Sequence, residues 1–278
     1  MERGKGHPFL AFIVLLLAMA LSAYGGYRYY EYRNIEPKEE TEENASVAKL
    51  SDTEVKDIYA KKIPIIETYG ESPNTYQSTK KDISNMDLSY LRAFLYTKIE
   101  FKDGDIEPFP SDDATGFQVV GFDDLYADGW FIFDASLLQE QSKIYLGQEI
   151  ENGEFAEHAG SGAQYVDGKY QHSMGGATSI ISTHLREYVS YTQNEDTLKI
   201  KDNYLGYYYD TLTNTYTIYS SSEKTTPVAT ITLEDTMSDE QVKEYMKTTY
   251  GVYIKEYTHT FKLDENNNWY WVSTEPTE

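Results

Sequence analysis

The sequence has no cysteine and few basic residues, and both shortages limit what the protein can be. Without cysteine there is no disulfide framework, no thiolate zinc site and no cysteine nucleophile. The 24 Lys and Arg stand against 46 Asp and Glu, which gives a formal net charge of −22. Because nucleic-acid binding needs clustered Lys and Arg to neutralise phosphates, we expect no nucleic-acid partner.

Hydrophobic runs long enough to cross a membrane are also scarce, and the one candidate lies at the N-terminus. Residues 8–27 carry no charge, and a helix of that length spans about 30 Å, the thickness of the bilayer hydrocarbon. Five tyrosines, which suit a membrane boundary, follow between residues 24 and 32. We therefore expect a short cytoplasmic tail over 1–7 and a single transmembrane anchor over 8–27, with the remainder outside the cytoplasm.

A second interpretation of this segment stays open. Ala18-Met19-Ala20 fits the small-residue site at which signal peptidases cut, and Arg3 and Lys5 supply the basic start of a signal peptide. An uncut segment predicts a single-pass protein of the cell membrane with an extracytoplasmic C-terminal domain. A cut segment predicts a secreted protein.

An acidic linker is expected over 28–50, because this stretch holds many glutamates and too few apolar residues to bury itself. Residues 1–35 contain four basic and two acidic side chains, so the rest of the chain carries a net charge of −24. Such a domain should stay soluble and be repelled by anionic lipid head groups.

The pattern of residues 51–278 predicts an α+β domain. Capping-box spacing predicts helices after Ser51 and Ser238, and apolar residues at helical spacing predict another near Asp87. Strand signals dominate elsewhere, over 130–133, 179–193, 197–209, 215–220, 227–233, 252–263 and 269–273. We expect mostly antiparallel sheets with a few short helices on one side, preceded by one N-terminal transmembrane helix.

Glycine is concentrated in one stretch of the domain. Five glycines lie between residues 159 and 176, which predicts an extended, mobile loop. If the domain consists of two halves, this loop joins them, and the halves are 51–158 and 177–278.

Signatures of metal binding are weak. His158, His172 and His184 surround the glycine-rich stretch, but their spacing matches no zinc motif, so structural histidines are the simpler interpretation. A calcium-loop pattern begins at Asp264, but Trp269 occupies the position that needs glycine, so a β-turn is expected there. We predict no metal and no cofactor.

Catalytic signatures are weak as well, although one acidic region keeps an enzyme open as an alternative. Asp123, Asp124, Asp128 and Asp134 bracket an aromatic strand, and paired carboxylates are what glycosidases use. Together with the 158–173 stretch, they are the candidates for an exported hydrolase that acts on cell-wall polymer. Turn and strand-end carboxylates explain the same residues more simply.

Tyrosine is abundant, with 27 residues, and two aromatic triplets lie on predicted strands. Successive strand residues face opposite ways, so one face of each triplet packs inward while the other meets solvent or a partner. The candidate partner-binding residues are Trp130, Tyr207, Tyr209, Trp269 and Trp271. Cross-strand aromatic ladders that stabilise a half-exposed sheet are the alternative interpretation.

These features together favour a binding protein. A single N-terminal anchor, no cysteine, many tyrosines and a closing hairpin resemble, in general style, the extracytoplasmic domains of Gram-positive bacteria. The resemblance implies a place in the cell envelope and no particular activity. We expect a membrane-anchored, non-enzymatic module that binds a protein or glycan partner, with an exported hydrolase and a structural or assembly subunit as alternatives.

Overall fold

The computed structural model describes residues 48–66, 74–108, 130–158, 161–173, 180–221, 223–234 and 236–277. The predicted anchor, most of the acidic linker and Asp123, Asp124 and Asp128 lie outside these ranges. Within the described ranges, no helix combines the length and the apolar composition that crossing a membrane requires.

The helices of the described residues each begin at a side-chain cap. They are α1 (Asp52–Lys62), α2 (Leu88–Tyr96), α3 (Ala135–Leu146) and α4 (Asp239–Tyr250). Capping boxes at Ser51 and Ser238 confirm the predicted starts of α1 and α4. Asp87 and Asp134 cap the other two helices. Pro64 disfavours a helical conformation at Ile63, and α1 ends just before that residue.

The sequence predicts only a strand or a helix end over Ile144 to Ile150, so most of helix α3 has no counterpart among the predicted elements. Its buried positions are Ala135, Leu138, Ser142 and Leu146, so small and polar residues interrupt the apolar stripe. That weak stripe leaves only a faint helical signal in the sequence.

A large antiparallel sheet contains most of the C-terminal half of the chain. Its strands are β1 (Lys81–Asp82), β7 (Ile180–Asn194), β8 (Thr197–Asp210), β9 (Thr215–Tyr219), β10 (Pro227–Thr232), β11 (Lys255–Leu263) and β12 (Trp269–Pro276). The order is β1-β12-β11-β8-β9-β10, and β7 pairs with β8. Strand β8 is therefore central, with β7 along one edge and first β11, then β9, along the other.

A smaller antiparallel sheet precedes it in the chain. Its strands are β2 (Ile106–Pro108), β3 (Trp130–Asp134), β4 (Phe155–His158), β5 (Ser161–Val166) and β6 (Lys169–Ser173), in the order β2-β3-β6-β5-β4. The glycine-rich stretch thus contains a hairpin rather than the loop that its glycine content predicts. Asp167 and Gly168 both have positive φ, 49° and 85°, as a tight hairpin turn requires.

Two large apolar cores and a small cluster of Tyr76, Tyr204 and Tyr257 hold the sheets and helices together. The main core joins the small sheet, through Phe133 and Tyr170, to Leu198 and Trp271 of the large sheet and to Leu91 of α2. The second core lies under α4 and consists of Leu185, Leu205, Tyr207, Ile218, Val242 and Met246. The α+β class and the mostly antiparallel pairing are confirmed.

Strand β8 shows that the helices do not all lie on one side of the large sheet. Leu198 and Ile200 enter the main core, whereas Leu205 and Tyr207 enter the second core. Because alternate strand residues face opposite ways, even and odd positions here lie on opposite faces. Helix α4 therefore covers the face opposite to the main core, which corrects the one-sided arrangement expected from the sequence.

Gly147, at the C-terminal end of α3, allows a test of this packing. Its φ is +72°, and a Cβ added there would lie 2.5 Å from the ring of Tyr270 on β12. Gly104 also has a positive φ, of +91°, but a Cβ there would meet nothing within 4 Å. We predict that Gly147→Ala lowers the free energy of unfolding by about 1–2 kcal/mol more than the matched control Gly104→Ala. Urea denaturation measures both, and equal losses would contradict the close packing of α3 on β12.

Candidate functional site

Polar side chains occupy both faces of strands β8, β11 and β12. On the inner face, Asp202, His259 and Thr274 of these strands join Tyr59, Tyr76 and Arg186 from other parts of the chain in what we call the buried network. On the outer face, polar side chains line an open groove. The buried network sets the geometry of the groove.

The buried network centres on the carboxylate of Asp202. Tyr59 and Tyr76 donate hydrogen bonds to Oδ2, at 3.0 and 2.5 Å, and Arg186 Nε lies 3.6 Å from the same oxygen. The other oxygen, Oδ1, lies 3.0 Å from His259 Nε2. The network thus gathers an α1 residue, a residue of the 74–80 segment and one residue each of β7 and β11 around the carboxylate of Asp202 on β8.

The network continues from His259 to β12. His259 Nδ1 and Thr274 Oγ1 share a hydrogen bond of 2.8 Å, and Trp271 Nε1 donates to the same hydroxyl at 3.0 Å. The Arg186 guanidinium lies over the ring of Tyr59, 4.4 Å from its centroid, which adds a cation–π contact. The polar atoms therefore form one connected chain across β7, β8, β11 and β12.

Electrostatics keep the Asp202 side chain ionised. Burial would raise the pKa of this carboxyl, but His259, Arg186 and the hydrogen bond from Tyr76 outweigh burial and hold the pKa below its ordinary value. Burial raises the pKa of the Tyr76 hydroxyl well above its ordinary value, so this group stays protonated and donates. Removing one partner of a buried charge such as this one strongly destabilises a protein, because the remaining charge is left uncompensated.

Two more basic side chains lie near the network. Lys224 Nζ donates to the carbonyl oxygens of Thr183 and Tyr207, at 3.3 and 3.2 Å, and burial lowers its pKa to about 7. Its stem runs over Gly206, where a Cβ would lie 2.8 Å from Lys224 Cε. Burial, together with the positive charges of Arg186 and Lys224, lowers the pKa of His184 to about 3. The fold therefore favours His184 in its neutral form.

The Asp202–His259–Thr274 series has the residue order of a catalytic relay, but all three side chains are buried. Asp202 and His259 are 0% exposed and Thr274 is 1% exposed, so no substrate reaches the Thr274 hydroxyl in this structure. That hydroxyl already bonds to both His259 and Trp271. The contacts of the buried network in the described residues are therefore contacts within the fold.

The groove lies on the outer face of the large sheet and has a volume of about 450 Å³. Its lining residues are Ser190, Tyr191, Thr192, Lys199, Lys201, Thr258, Glu275, Pro276 and Thr277. Helix α4 covers this same face further along β8, at Leu205 and Tyr207, and leaves the part near Lys199 open. The lining supplies hydroxyl groups, two ammonium groups and one carboxylate.

Strand register arranges part of the groove as a straight row across four strands. Ser190 pairs with Lys201, Lys201 with Thr258, and Thr258 with Glu275. Asp202, His259 and Thr274 of the buried network directly adjoin the last three of these residues in sequence. Since adjacent strand residues face opposite ways, the network lies beneath the row and holds β8, β11 and β12 in register.

The aromatic residues predicted to bind a partner lie elsewhere. Trp269 and Trp271 are buried in the main core and Tyr207 in the second core. Tyr209 is half-buried, stacks on Tyr216 at 4.5 Å and donates a hydrogen bond to Asn214. The structure does not bring these four side chains together on an open surface. Trp130 begins β3, and its side chain lies outside the described part of the molecule.

The histidine and carboxylate candidates are also separated. His172 is buried in the small sheet between the rings of Tyr96 and Phe131, whereas His184 belongs to β7 of the large sheet. Asp134 caps α3 through the backbone N–H of Ser136. Among the described residues, no group of three His, Asp or Glu side chains could hold a metal ion.

The expected turn after β11 is confirmed. Asp264 Oδ1 accepts hydrogen bonds from the backbone N–H groups of Asn266 and Asn268, at 2.9 and 2.8 Å. This carboxylate therefore organises the tight turn between β11 and β12.

Comparisons with known proteins add no further guide to the site. No protein-family model, no curated protein sequence and no solved structure matches the chain.

Sequence reasoning missed the residues of the groove, although a signal for them exists. In β8 the inward positions read Leu198, Ile200, Asp202 and Tyr204, so a charged residue interrupts an apolar alternation. An acid at an inward position indicates a buried partner and marks its odd-numbered neighbours as the outer face. The row itself also needs the pairing of β8 with β11, which is a long-range contact.

The role of Asp202 predicts a pH-dependent effect of Asp202→Asn. The folded-state pKa lies below the unfolded value, so this carboxylate stabilises the fold above the unfolded pKa of about 4 and loses its contribution as pH falls through the lowered folded value. We predict that the variant costs about 3 kcal/mol at pH 7, because Arg186 and His259 lose their charged partner. The difference from the wild type should shrink below about pH 4.

Urea denaturation at several pH values measures this effect. Asp103→Asn is the control, because Asp103 is exposed and its substitution should cost less than about 0.5 kcal/mol. A loss for Asp202→Asn no larger than that of the control at pH 7 would rule out the proposed role of the buried network.

Proposed function

We propose that the protein is a non-enzymatic binding module, tethered by its N-terminal segment on the outer side of a bacterial cell membrane. The groove on the outer face of the large sheet is its binding surface. The observation that carries the proposal is the open polar row of Ser190, Lys201, Thr258 and Glu275, placed on a sheet face that α4 covers elsewhere.

The chemistry of the groove favours a peptide or protein partner over a glycan. Hydroxyl, ammonium and carboxylate groups can exchange hydrogen bonds with peptide groups and charged side chains. Sugar rings commonly stack on exposed aromatic faces, and Tyr191 is the one aromatic residue in the described lining. Its hydroxyl donates to the carbonyl of Leu50, and its ring packs against the main core.

The alternative functions have less support. For an assembly subunit, the free strand edges should be long and regular, because they would pair with a neighbour. Strand β7 instead has a bulge between Tyr188 and Ser190, and β10 begins with Pro227, which lacks a backbone N–H. For a hydrolase, the one described carboxylate of the acidic region, Asp134, is engaged as a helix cap.

A capture experiment tests the proposal. Tagged full-length protein in detergent is incubated with an envelope extract, and the retained partners of the wild type are compared with those of Lys199→Ala/Lys201→Ala. We expect the double variant to retain roughly tenfold less partner than the wild type, since charge-assisted hydrogen bonds contribute strongly to polar recognition. Lys56→Ala/Lys102→Ala makes the same charge change away from the groove and should retain the partner.

Two results would count against the proposal. If the groove variant and the control variant retain equal amounts of partner, the groove is not the binding surface. Recovery of the partner in a cleaved form, detected by mass spectrometry, would favour the hydrolase instead, because a binding module releases its partner chemically unchanged.

A further inference from the structure

We infer that the groove takes a short extended peptide with a free carboxylate at one end and a free amino group at the other. This inference rests on the proposed function and adds to it the chemical class and the length of the ligand. It is carried by the positions of opposite charges on the strands of the groove.

The charges of the groove are separated along the row. Lys199 and Lys201 both belong to β8, whereas Glu275 belongs to β12, and β11 lies between these strands. Neighbouring strands lie about 4.8 Å apart, so the backbones that carry Lys201 and Glu275 are about 10 Å apart. The strands that carry the positive and the negative side chains of the groove are therefore held at a fixed separation.

These charges are only partly neutralised by their surroundings. Lys201 Nζ pairs with Glu256 at 2.9 Å, which leaves the ammonium with further donors. Within the described residues, Lys199 and Glu275 form no ion pair, and Lys199 is exposed. One ammonium group and one carboxylate are thus available on opposite sides of the groove.

An extended tripeptide matches this separation. A chain of three residues spans at most about 10 Å between its ends. Its carboxylate would meet Lys199 and Lys201, and its amino group would meet Glu275 two strands away. Between the ends, Thr258 lies in the row and its hydroxyl can bond to the peptide groups; in the structure this hydroxyl lies 2.9 Å from that of Thr277.

Other ligand charges fit the groove less well. A polyanion would be repelled by Glu275 and by the strongly acidic domain, whose sequence after residue 35 carries a net charge of −24. A polycation would be attracted by the net charge of the domain but would meet Lys199 and Lys201 inside the groove. A ligand with one charge of each sign satisfies both sides of the groove and is not excluded by the net charge of the domain.

Triglycine is the probe, because it carries both end charges and no side chains. Its affinity for the full-length protein is measured by NMR titration and compared with N-acetyl-triglycine and triglycine amide, each of which lacks one charge. We expect each capped peptide to bind about tenfold more weakly, the effect of one lost charge-assisted hydrogen bond. Diglycine, which spans only about 7 Å, should also bind more weakly.

Variants locate the site. Lys199→Ala/Lys201→Ala should weaken triglycine binding about tenfold and remove the preference for a free carboxylate. Glu275→Gln should remove the preference for a free amino group. Lys56→Ala/Lys102→Ala should bind like the wild type, and an unchanged NMR spectrum outside the groove confirms that each variant is folded.

The possible outcomes separate this inference from the proposed function. Failure of triglycine to bind, equal affinity of the capped peptides, or binding that is unchanged in the groove variants would each overturn the inference. In those cases, envelope-partner retention that still depends on Lys199 and Lys201 would leave the proposed function standing. Retention that is independent of these lysines would overturn both.

Discussion

The ionised carboxylate of Asp202 is the group on which the arrangement of the large sheet depends. It is fully buried, so its charge must be balanced inside the protein, and Tyr59, Tyr76, Arg186 and His259 do so from four different parts of the chain. A slip of β8 by one residue would turn this carboxylate to the outer face and bury a lysine instead. The buried network thus selects one register among the possible pairings of the strands.

The same register determines the outer face. Lys201, Thr258 and Glu275 each follow or precede a residue of the network by one position, so the polarity of the groove is a consequence of the polarity beneath it. Helix α4 closes the neighbouring part of that face with the second core, and its Lys247 pairs with Glu187 of β7. A rigid, hydrogen-bonded base is what a groove that recognises small polar ligands requires.

Local signals in the sequence were sufficient for much of the fold. The capping boxes at Ser51 and Ser238 and the turn at Asp264 are determined by neighbouring residues, and all three are confirmed. The glycine content of the 159–176 stretch predicts a loop, whereas the Asp167-Gly168 turn makes part of it a hairpin. Local sequence signals do not predict the groove. It requires the pairing of β8 with β11 and the burial of Asp202, and both depend on residues far away in the sequence.

Amide hydrogen exchange in the wild type and in Asp202→Asn tests the central claim most directly. If the buried network holds the strands beneath the groove in register, the variant will lose protection mainly at the amides of β8, β11 and β12 near residues 200–204, 257–261 and 271–276. The amides of α4, which belong to the second core, will keep most of theirs. Loss of protection spread evenly over the domain, or no loss in the three strands, would contradict the account.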